Sequence, residues 1–398
     1  MKLEKNKLMI LGAAQSQVPL IETAKKMNLE VHVCSIKGNY PGIYAADIFH
    51  EADITDVEKI YEIAKDQKID GILTTATDIC LESIGYVVDK LNLSGTGLEN
   101  SKACLNKIIM KQRFSSNNIP TPNYIEVKSH KDAIKFFKKQ KTHCVLKPND
   151  SSASRGVTKI ETYQKIEEAY AEALEFSTSG RVIIEEWLEG EEFGAQAIVV
   201  NNELNLLIIH SDITTPPPQR IPIGHGCPHP NEKTLFPLIS NVVINAIKAL
   251  GINNSICNID FINSNKGPQI IEMTCRMGGT HLPEVCGEYL GINLYKLAIE
   301  LSLGKIPTFS QKLNKSPNAI HNLIIPEPGY IKKYGMMDKN HQWYIYPKEG
   351  DYVTKNASSL VEIGYVHVKG SNPVDILREA SISANFFCDT IEINEEIE

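Results

Sequence analysis

Two acids and an arginine, Asp260, Glu272 and Arg276, stand in a stretch, INNSICNIDFI, NSNKGP, QIIEMTCR, that reads as two strands around a turn. With NSNKGP as the turn of an antiparallel hairpin centred near residue 266, Asp260 and Glu272 lie opposite one another and point to one face. Two carboxylates a few ångströms apart repel unless a cation sits between them, and oxygen-only ligands suit Mg²⁺ held together with substrate phosphates. Period-two alternation puts Thr274 and Arg276 on the same face, with Asn258 across from Thr274. The competing reading is a charged, wet sheet face.

Two further clusters carry chemistry-bearing side chains. In VLKPNDSSASRGVTKI (145 to 160) an apolar strand delivers Lys147 to a Ser/Gly loop whose backbone N–H groups and hydroxyls can surround phosphate oxygens. The order differs from the G-x-x-x-x-G-K-[ST] of a P-loop, so this is a different kind of phosphate cover. In RVIIEEWLEGEEF (181 to 193) an apolar strand runs into adjacent acids, which repel unless a cation or ligand meets them; a solvated acidic edge is the alternative. A third segment, GHGCPHP, holds His225, Cys227 and His229, which read as a substrate-contacting loop, a structural loop or three incomplete zinc ligands.

The elements that position these residues follow from hydrophobic spacing. The first hundred residues alternate short apolar strands (8–11, 29–35, 69–75) with helices (18–27 and 56–66), the pattern of a mostly parallel sheet covered on both faces. Its ligand edge should be the C-terminal ends of the strands. GAAQSQ, at the first of these ends, has one glycine where a dinucleotide fingerprint needs three, which argues against a nicotinamide enzyme. A lysine-bearing helix follows at 101 to 117, then NNIPTPNY, where Pro120 and Pro122 impose an extended linker. HKDAIKFFKKQK (130 to 141) is an amphipathic helix with Ile134 and Phe137 inward and its lysines in water. Region 142 to 210 mixes β-rich stretches with a helix at 164 to 176, and 211 to 231, rich in Pro, Gly and His, reads as a long binding loop or lid. A helix at 232 to 250 precedes the hairpin, and a strand at 361 to 370 and a helix from Pro373 close the chain.

Composition narrows the function. The 398 residues allow two or three packed units, and 41 basic against 48 acidic side chains, net −7, offer no field for a phosphate backbone, so nucleic acid is excluded as a partner. No run reaches the roughly 18 apolar residues of a membrane helix, and the expected location is the cytoplasm. The nine cysteines are scattered without a CxxC pair, and they read as buried small hydrophobes.

In chain order these pieces resemble the ATP-grasp superfamily, in the carboxylate–amine ligase branch that is similar to carbamoyl-phosphate synthetase and biotin carboxylase. The resemblance covers nearly the whole chain. It implies an α/β and α+β fold: an N-terminal parallel-sheet domain (1–97), an ATP-grasp domain (98–310) whose small nucleotide lobe spans about 124–195, with two lobes enclosing ATP, and a C-terminal α+β part (311–398). It implies that Lys107, in NKIIMKQRF, and Lys147 contact ATP phosphates under a loop containing Ser151, Ser152, Ser154, Arg155 and Gly156. Glu185 would meet the adenine amino group, the backbone of Glu186 and Leu188 the ring, and Glu192 the ribose. Asp260 and Glu272 match the metal acids for two Mg²⁺ ions, which Mn²⁺ can replace. Arg276, matching the arginine that faces the transferring phosphate and the carboxylate, is with Lys147 the catalytic pair. Two positions depart from the pattern: Glu186 stands where many members have lysine, and Thr274 where a metal-binding asparagine is usual, which leaves Asn258 and Thr274 as alternative ligands.

The implied reaction is ADP-forming ligation: a small carboxylate, an amino acid or similar metabolite, becomes an acyl phosphate and is joined to an amine. Arg220, His225, His281 and Glu284 are the expected substrate contacts. Small molecules are the expected partners, with a homodimer as the further assembly considered. A kinase of a hydroxyl acceptor, a bicarbonate-using carboxylase and a non-catalytic nucleotide-binding regulator are the alternatives.

Overall fold

The computed structural model describes residues 5–140, 142–151, 155–216, 220–307, 315–356 and 359–394. They pack into two units assembled from separate stretches of chain. The first holds Met1–Ile208, Lys233–Gly279 and Asn293–Gln311, the second Ile209–Glu232, Thr280–Ile292 and Lys312–Glu398.

The first unit begins with β1 (Lys7–Leu11), α1 (Val18–Lys26), β2 (Glu30–Ser35), α2 (Pro41–Ala45), β3 (Ile48–Glu51), α3 (Val57–Gln67), β4 (Gly71–Leu73) and α4 (Leu81–Leu91). The strands form the expected parallel sheet in the order β3-β2-β1-β4, and Leu8, Met9, Ile10 and Leu11 are fully buried. Sequence spacing misses α2 and β3, which are too short to show a period, and α4, whose amphipathic run is broken by Gly85, a weak helix former.

The single helix expected at 101 to 117 is two, α5 (Leu98–Leu105) and α6 (Lys107–Ser116). Asn106 between them is extended, and its side chain accepts a hydrogen bond from the Ile109 N–H, the usual work of an N-cap asparagine. Lys107 therefore occupies the first helical position. Next come β5 (Tyr124–Val127), α7 (His130–Gln140), β6 (Cys144–Pro148), β7 (Thr158–Ile160), α8 (Ile166–Glu175) and β8 (Val182–Glu186). These strands pair antiparallel in the order β5-β8-β6-β7 and share a core with α7 and α8 that includes Leu146, Ile166 and Ile184. In α7 it is Ala133 and Phe136 that are buried, while Ile134 and Phe137 pack partly against the same core, so the inward stripe is rotated by one residue from the expectation.

Beyond them run β9 (Gly190–Val200), β10 (Glu203–Thr214), β11 (Pro222–Cys227), α9 (Glu232–Leu250), β12 (Ser255–Ser264) and β13 (Gly267–Thr274). The long loop expected at 211 to 231 is largely strand: β10 continues to Thr214, and IGHGC belongs to β11. Glycines that hide a strand from propensity are required here by close packing, since a Cβ at Gly224 would meet the Ile320 carbonyl oxygen at 2.6 Å. Helix α9, nineteen residues long, has the length and composition of a membrane span. Its Leu235, Ile239, Val243, Ala246, Ile247 and Leu250 form one buried stripe, as in a core helix, and Ser240, Asn241 and Asn245 interrupt its apolar run.

The remaining elements are α10 (Leu282–Leu290), α11 (Leu294–Ser302), β14 (Asn318–Ile325), β15 (Gly329–Lys333), β16 (Gln342–Ile345), β17 (Tyr352–Val353), β18 (Val361–Lys369), α12 (Pro373–Thr390) and β19 (Glu392–Asn394). In the second unit β11, β14, β18 and β16 are antiparallel neighbours in that order, and β17-β15-β19 is a small separate sheet. One face of the larger sheet is apolar: Ala319, Leu323, Val366 and Val368 pack on Ala380, Ala384 and Phe387 of α12. Asn372 starts α12 by accepting the Val374 N–H at 2.9 Å. Because Phe387 is fully buried, Phe387→Ala should lower the stability of the second unit by about 3–5 kcal/mol in chemical denaturation. A loss under about 1 kcal/mol would mean that α12 does not anchor this core.

Candidate active site

Strands β12 and β13 place Asp260 opposite Glu272 and Asn258 opposite Thr274, the register that a turn centred on residue 266 requires. A one-residue irregularity follows directly, between Asp260 and Phe261, so the acids sit at the last position before the ladder shifts. Two cations answer the facing carboxylates. Lys107 Nζ lies 3.0 Å from Glu272 Oε1, and although burial works against its charge, Glu272 outweighs it and holds the lysine pKa above its ordinary value. Arg276 is likewise kept charged against burial, by Asp78 first and then by Asp260 and Glu272.

Asp78 was not legible in the sequence. It follows the C-terminal end of β4, the edge where ligands were expected, and its carboxylate takes Arg276 Nη2 at 2.6 Å and the Thr274 hydroxyl at 2.8 Å. Thr274 is thus engaged as a donor. Asn258 donates to Asp260 at 2.9 Å and accepts from Gln196 at 2.6 Å, while Gln196 accepts the Gly278 N–H at 3.1 Å. In this arrangement Asn258 orients Asp260, and the carboxylates of Asp260 and Glu272 are the donor set that fits a hard divalent cation.

The second cluster is built on β8. Glu185 is buried with Lys147 Nζ at 3.0 Å and Lys111 Nζ at 3.3 Å from the same oxygen. Lys111 also donates to Thr121 at 2.8 Å. Sequence reading passed over Lys111, although its i, i+4 spacing from Lys107 puts both on one side of α6. Asn149, just past β6, joins the two lysine-bearing elements: its side-chain oxygen accepts the Ile108 N–H at 3.0 Å and its carbonyl the Lys107 N–H at 3.1 Å.

The other expected nucleotide contacts are distributed around this core. Ser151 gives its carbonyl to Lys107 Nζ at 2.8 Å, Arg155 is exposed, and Gly156 has φ +69°, a conformation that favours glycine. Ser152 and Ser154 lie outside the described residues. The Glu186 side chain binds Lys266 and Asn123, each at 2.6 Å, and its N–H goes to the Asn123 carbonyl. Leu188 is buried, and half-buried Glu192 pairs with Ile262 across the sheet.

Residues 104–280, which include every one of these lysines together with Asp260, Glu272 and Arg276, match the family model described as the ATP-grasp domain. This chain carries an ATP-grasp domain. It is similar to the uncharacterized protein y4rH of Sinorhizobium fredii, 23% identical over 76% of this chain and 64% of that protein, so the chain spans just under two thirds of that relative. It is also similar to a formate-dependent phosphoribosylglycinamide formyltransferase of Sulfurisphaera tokodaii, 23% identical over 84% of each. A solved structure of phosphoribosylglycinamide synthetase from Anaerococcus prevotii superimposes with a TM-score of 0.81 and 25% identity, covering 99% of this chain and 100% of that one. The span of the ATP-grasp domain model stops short of His281 and Glu284 and leaves out Asp78.

The expected substrate residues belong to the second unit. His225, on β11, is 2% exposed, and its Nδ1 lies 2.7 Å from Asp212 Oδ1, the oxygen that His210 Nδ1 approaches at 2.9 Å. His281 has φ +65° and follows Thr280 at φ +49°, two non-glycine residues in left-handed geometry ahead of α10. Its ring lies 3.9 Å from that of Tyr365 and its Nε2 3.2 Å from the Tyr346 hydroxyl, with Glu284 3.9 Å from Nδ1. Arg220 precedes β11 with φ +46°. The His225, Cys227 and His229 triple is divided: Cys227 hydrogen-bonds with Cys286, and His229 Nδ1 accepts the Asn231 N–H.

Burial lowers the Lys111 pKa to about 8, with Lys147 adding to the shift and Glu185 opposing it. As pH rises through about 8 the Lys111, Lys147 and Glu185 cluster therefore passes from net positive to neutral. One unit charge about 10 Å from a phosphate is worth about 1.7 kcal/mol at an effective dielectric of about 20, so ATP affinity should weaken about tenfold across that step. Calorimetric titration with ATP between about pH 6.5 and 9.5 reads this, and Lys111→Arg, which stays charged, should abolish it. A flat profile in the unmodified protein would remove Lys111 from the nucleotide site.

Proposed function

We propose that this protein is an ATP-dependent, ADP-forming ligase that activates a small carboxylate as an acyl phosphate and passes the acyl group to an amine. The observation that carries this reading is the convergence of Lys107, Arg276 and the facing acids Asp260 and Glu272, with Lys147 on the adjoining β6. Two buried donors there, Asn149 Nδ2 and Arg276 Nε, have no acceptor among the described residues, which is the need that a phosphate or carboxylate oxygen would meet. One of the similar proteins is by name a formate-dependent phosphoribosylglycinamide formyltransferase, formate being a small carboxylate, and another is a phosphoribosylglycinamide synthetase.

A carboxylate is a poor acyl donor because its leaving group would be oxide. In the proposed reaction a carboxylate oxygen attacks the γ-phosphorus of ATP, the bond from that phosphorus to the β,γ-bridging oxygen breaks, and ADP leaves. The amine nitrogen then attacks the acyl carbon, the bond to phosphate oxygen breaks, and the amide forms with loss of a proton and inorganic phosphate. Lys107, Lys147 and Arg276 offset charge on the transferring group, with Asp78 holding the arginine by its other edge. Glu185 orients the adenine, Glu186 and Leu188 supply backbone to the ring, and Glu192 takes the ribose. Asp260 and Glu272 would hold Mg²⁺, two ions in the full reading, which would neutralise phosphate charge when bound. The segment 151 to 156 excludes water while the acyl phosphate exists. Arg220, His225, His281 and Glu284 receive the organic substrates, and the functional segments run 1–97, 98–310 and 311–398. All nine cysteines are free, in keeping with a reducing, cytoplasmic setting.

A matrix of carboxylic acids against amines, read by ADP release with hydroxylamine added in parallel, tests the reaction. Acid-dependent ADP release with a hydroxamate product is the expected outcome; ATP consumption only with a hydroxyl acceptor, yielding a stable phosphorylated product, would make the protein a kinase instead. Lys147→Ala and Glu272→Ala should each leave a folded protein with turnover reduced by about a hundredfold or more. Near-normal turnover in either would sink the assigned roles. Asn258→Ala, which releases Asp260, should raise the Mg²⁺ concentration needed for half-maximal activity, and an unchanged requirement would show that Asp260 needs no such support.

A further inference from the structure

The face of the second unit's sheet that turns away from α12 is polar. Register puts His210 and Asp212 of β10, His225 of β11, Asn322 of β14 and Tyr365 of β18 on that one side. Helix α10 packs over part of it, with the Asn318 amide bonded to the Val285 carbonyl at 3.0 Å and Lys369 paired with Glu288. A polar face this deeply buried is costly unless every group on it finds a partner.

The groups that lack a partner are of one kind. Both His210 and His225 aim Nδ1 at the same Asp212 oxygen, so each donates its Nδ1–H to the carboxylate and carries its lone pair on Nε2. The carboxylate is accordingly held well below the usual range despite its burial, while burial keeps the His225 ring neutral by lowering its pKa. His225 Nε2 is buried with no hydrogen-bond partner among the described residues. The Asn322 side chain hydrogen-bonds the Glu362 carboxyl, whose pKa is raised by burial, and Asn322 Oδ1 too is buried without a partner among the described residues. His225 and Asn322 are 2% and 4% exposed and diagonal to one another on adjacent strands, so the two acceptors belong to neighbouring side chains on the same face. Each would be left unsatisfied at about 1–3 kcal/mol unless a donor meets it.

We propose that this face binds the amino group of the amine-bearing substrate: a primary amine or ammonium whose N–H donors are shared between His225 Nε2 and Asn322 Oδ1, with the Asp212 carboxylate behind His225 and Glu362 holding the Asn322 amide. The assignment rests on the ligase reading for the identity of its ligand, an amine, but its geometry lies wholly within the second unit. Asp212 and Asn322 enter it from the structure alone. It also explains why neither histidine is arranged as an acid: each is fixed as an acceptor by the shared carboxylate. A transition-metal ion is the competing occupant, since ligand atoms of His210, Asp212 and His225 lie within 4.8 Å of one another. With both Nδ1 atoms already donating to Asp212, that set lacks free lone pairs facing a common centre.

Calorimetric titration of the full chain, without ATP, against free amino acids and diamines and against the N-acetylated form of each tests the site apart from any turnover. At least one free amine should bind about tenfold or more tightly than its acetylated counterpart, and Asn322→Leu and Glu362→Gln should each weaken it about tenfold while leaving ATP affinity unchanged. Equal binding of amine and acetylated forms, or no binding across the panel, overturns the proposal. So does stoichiometric zinc or another transition metal in the purified protein that Asp212→Asn removes. Should amines bind as described while no hydroxamate forms in the ligase assay, the ligase reading fails and this site stands; hydroxamate formation with no amine discrimination is the reverse.

Discussion

Two carboxylates set directly opposite each other on a hairpin repel, and the first unit is organised around answering that repulsion. Asp260 and Glu272 face one another across β12 and β13, so cations have to be brought to them from other parts of the chain. Lys107 arrives because Asn106 ends α5 and caps α6. Arg276 stays because Asp78, from the edge of the parallel sheet, holds its far side. The N-terminal sheet therefore contributes directly to the site: Asp78 sits past β4, and Thr75 bridges to Met277 beside Arg276.

The Glu185 cluster repeats the arrangement with the charges reversed. One carboxylate is shared by two buried lysines, which leaves excess positive charge where phosphates are expected. Burial, with Lys147 beside it, lowers the Lys111 pKa to about 8, and the shared Glu185 carboxylate opposes that shift. Four buried groups without a hydrogen-bond partner among the described residues bear on the two substrates. In the first unit Asn149 and Arg276 offer buried donors, suited to anions, while on the polar face of the second unit His225 and Asn322 offer buried acceptors, suited to N–H groups. A ligase that joins a phosphorylated acid to an amine needs both kinds.

Hydrophobic spacing and residue chemistry together determined a good deal. Strand and helix alternation predicted the parallel sheet, and the twelve-residue separation of Asp260 and Glu272 around a turn sequence predicted their register, because an antiparallel hairpin leaves one pairing for a given centre. The order of lysines, acids and arginine carried the resemblance to ATP-grasp ligases, and residues 104–280 match that domain. What the sequence could not contain is contact between residues remote along the chain. Asp78 and Arg276 are separated by 198 positions, Lys111 of α6 and Glu185 of β8 meet only in the folded chain, and IGHGC looks like a loop until Gly224 is seen against the Ile320 carbonyl. His225 was legible as a candidate ligand, but its hydrogen bond to Asp212, thirteen residues earlier, which directs Nδ1 to the carboxylate, exists only once β10 and β11 are paired. Local propensity and periodicity are properties of neighbours in sequence; charge compensation, tautomer and burial are properties of neighbours in space.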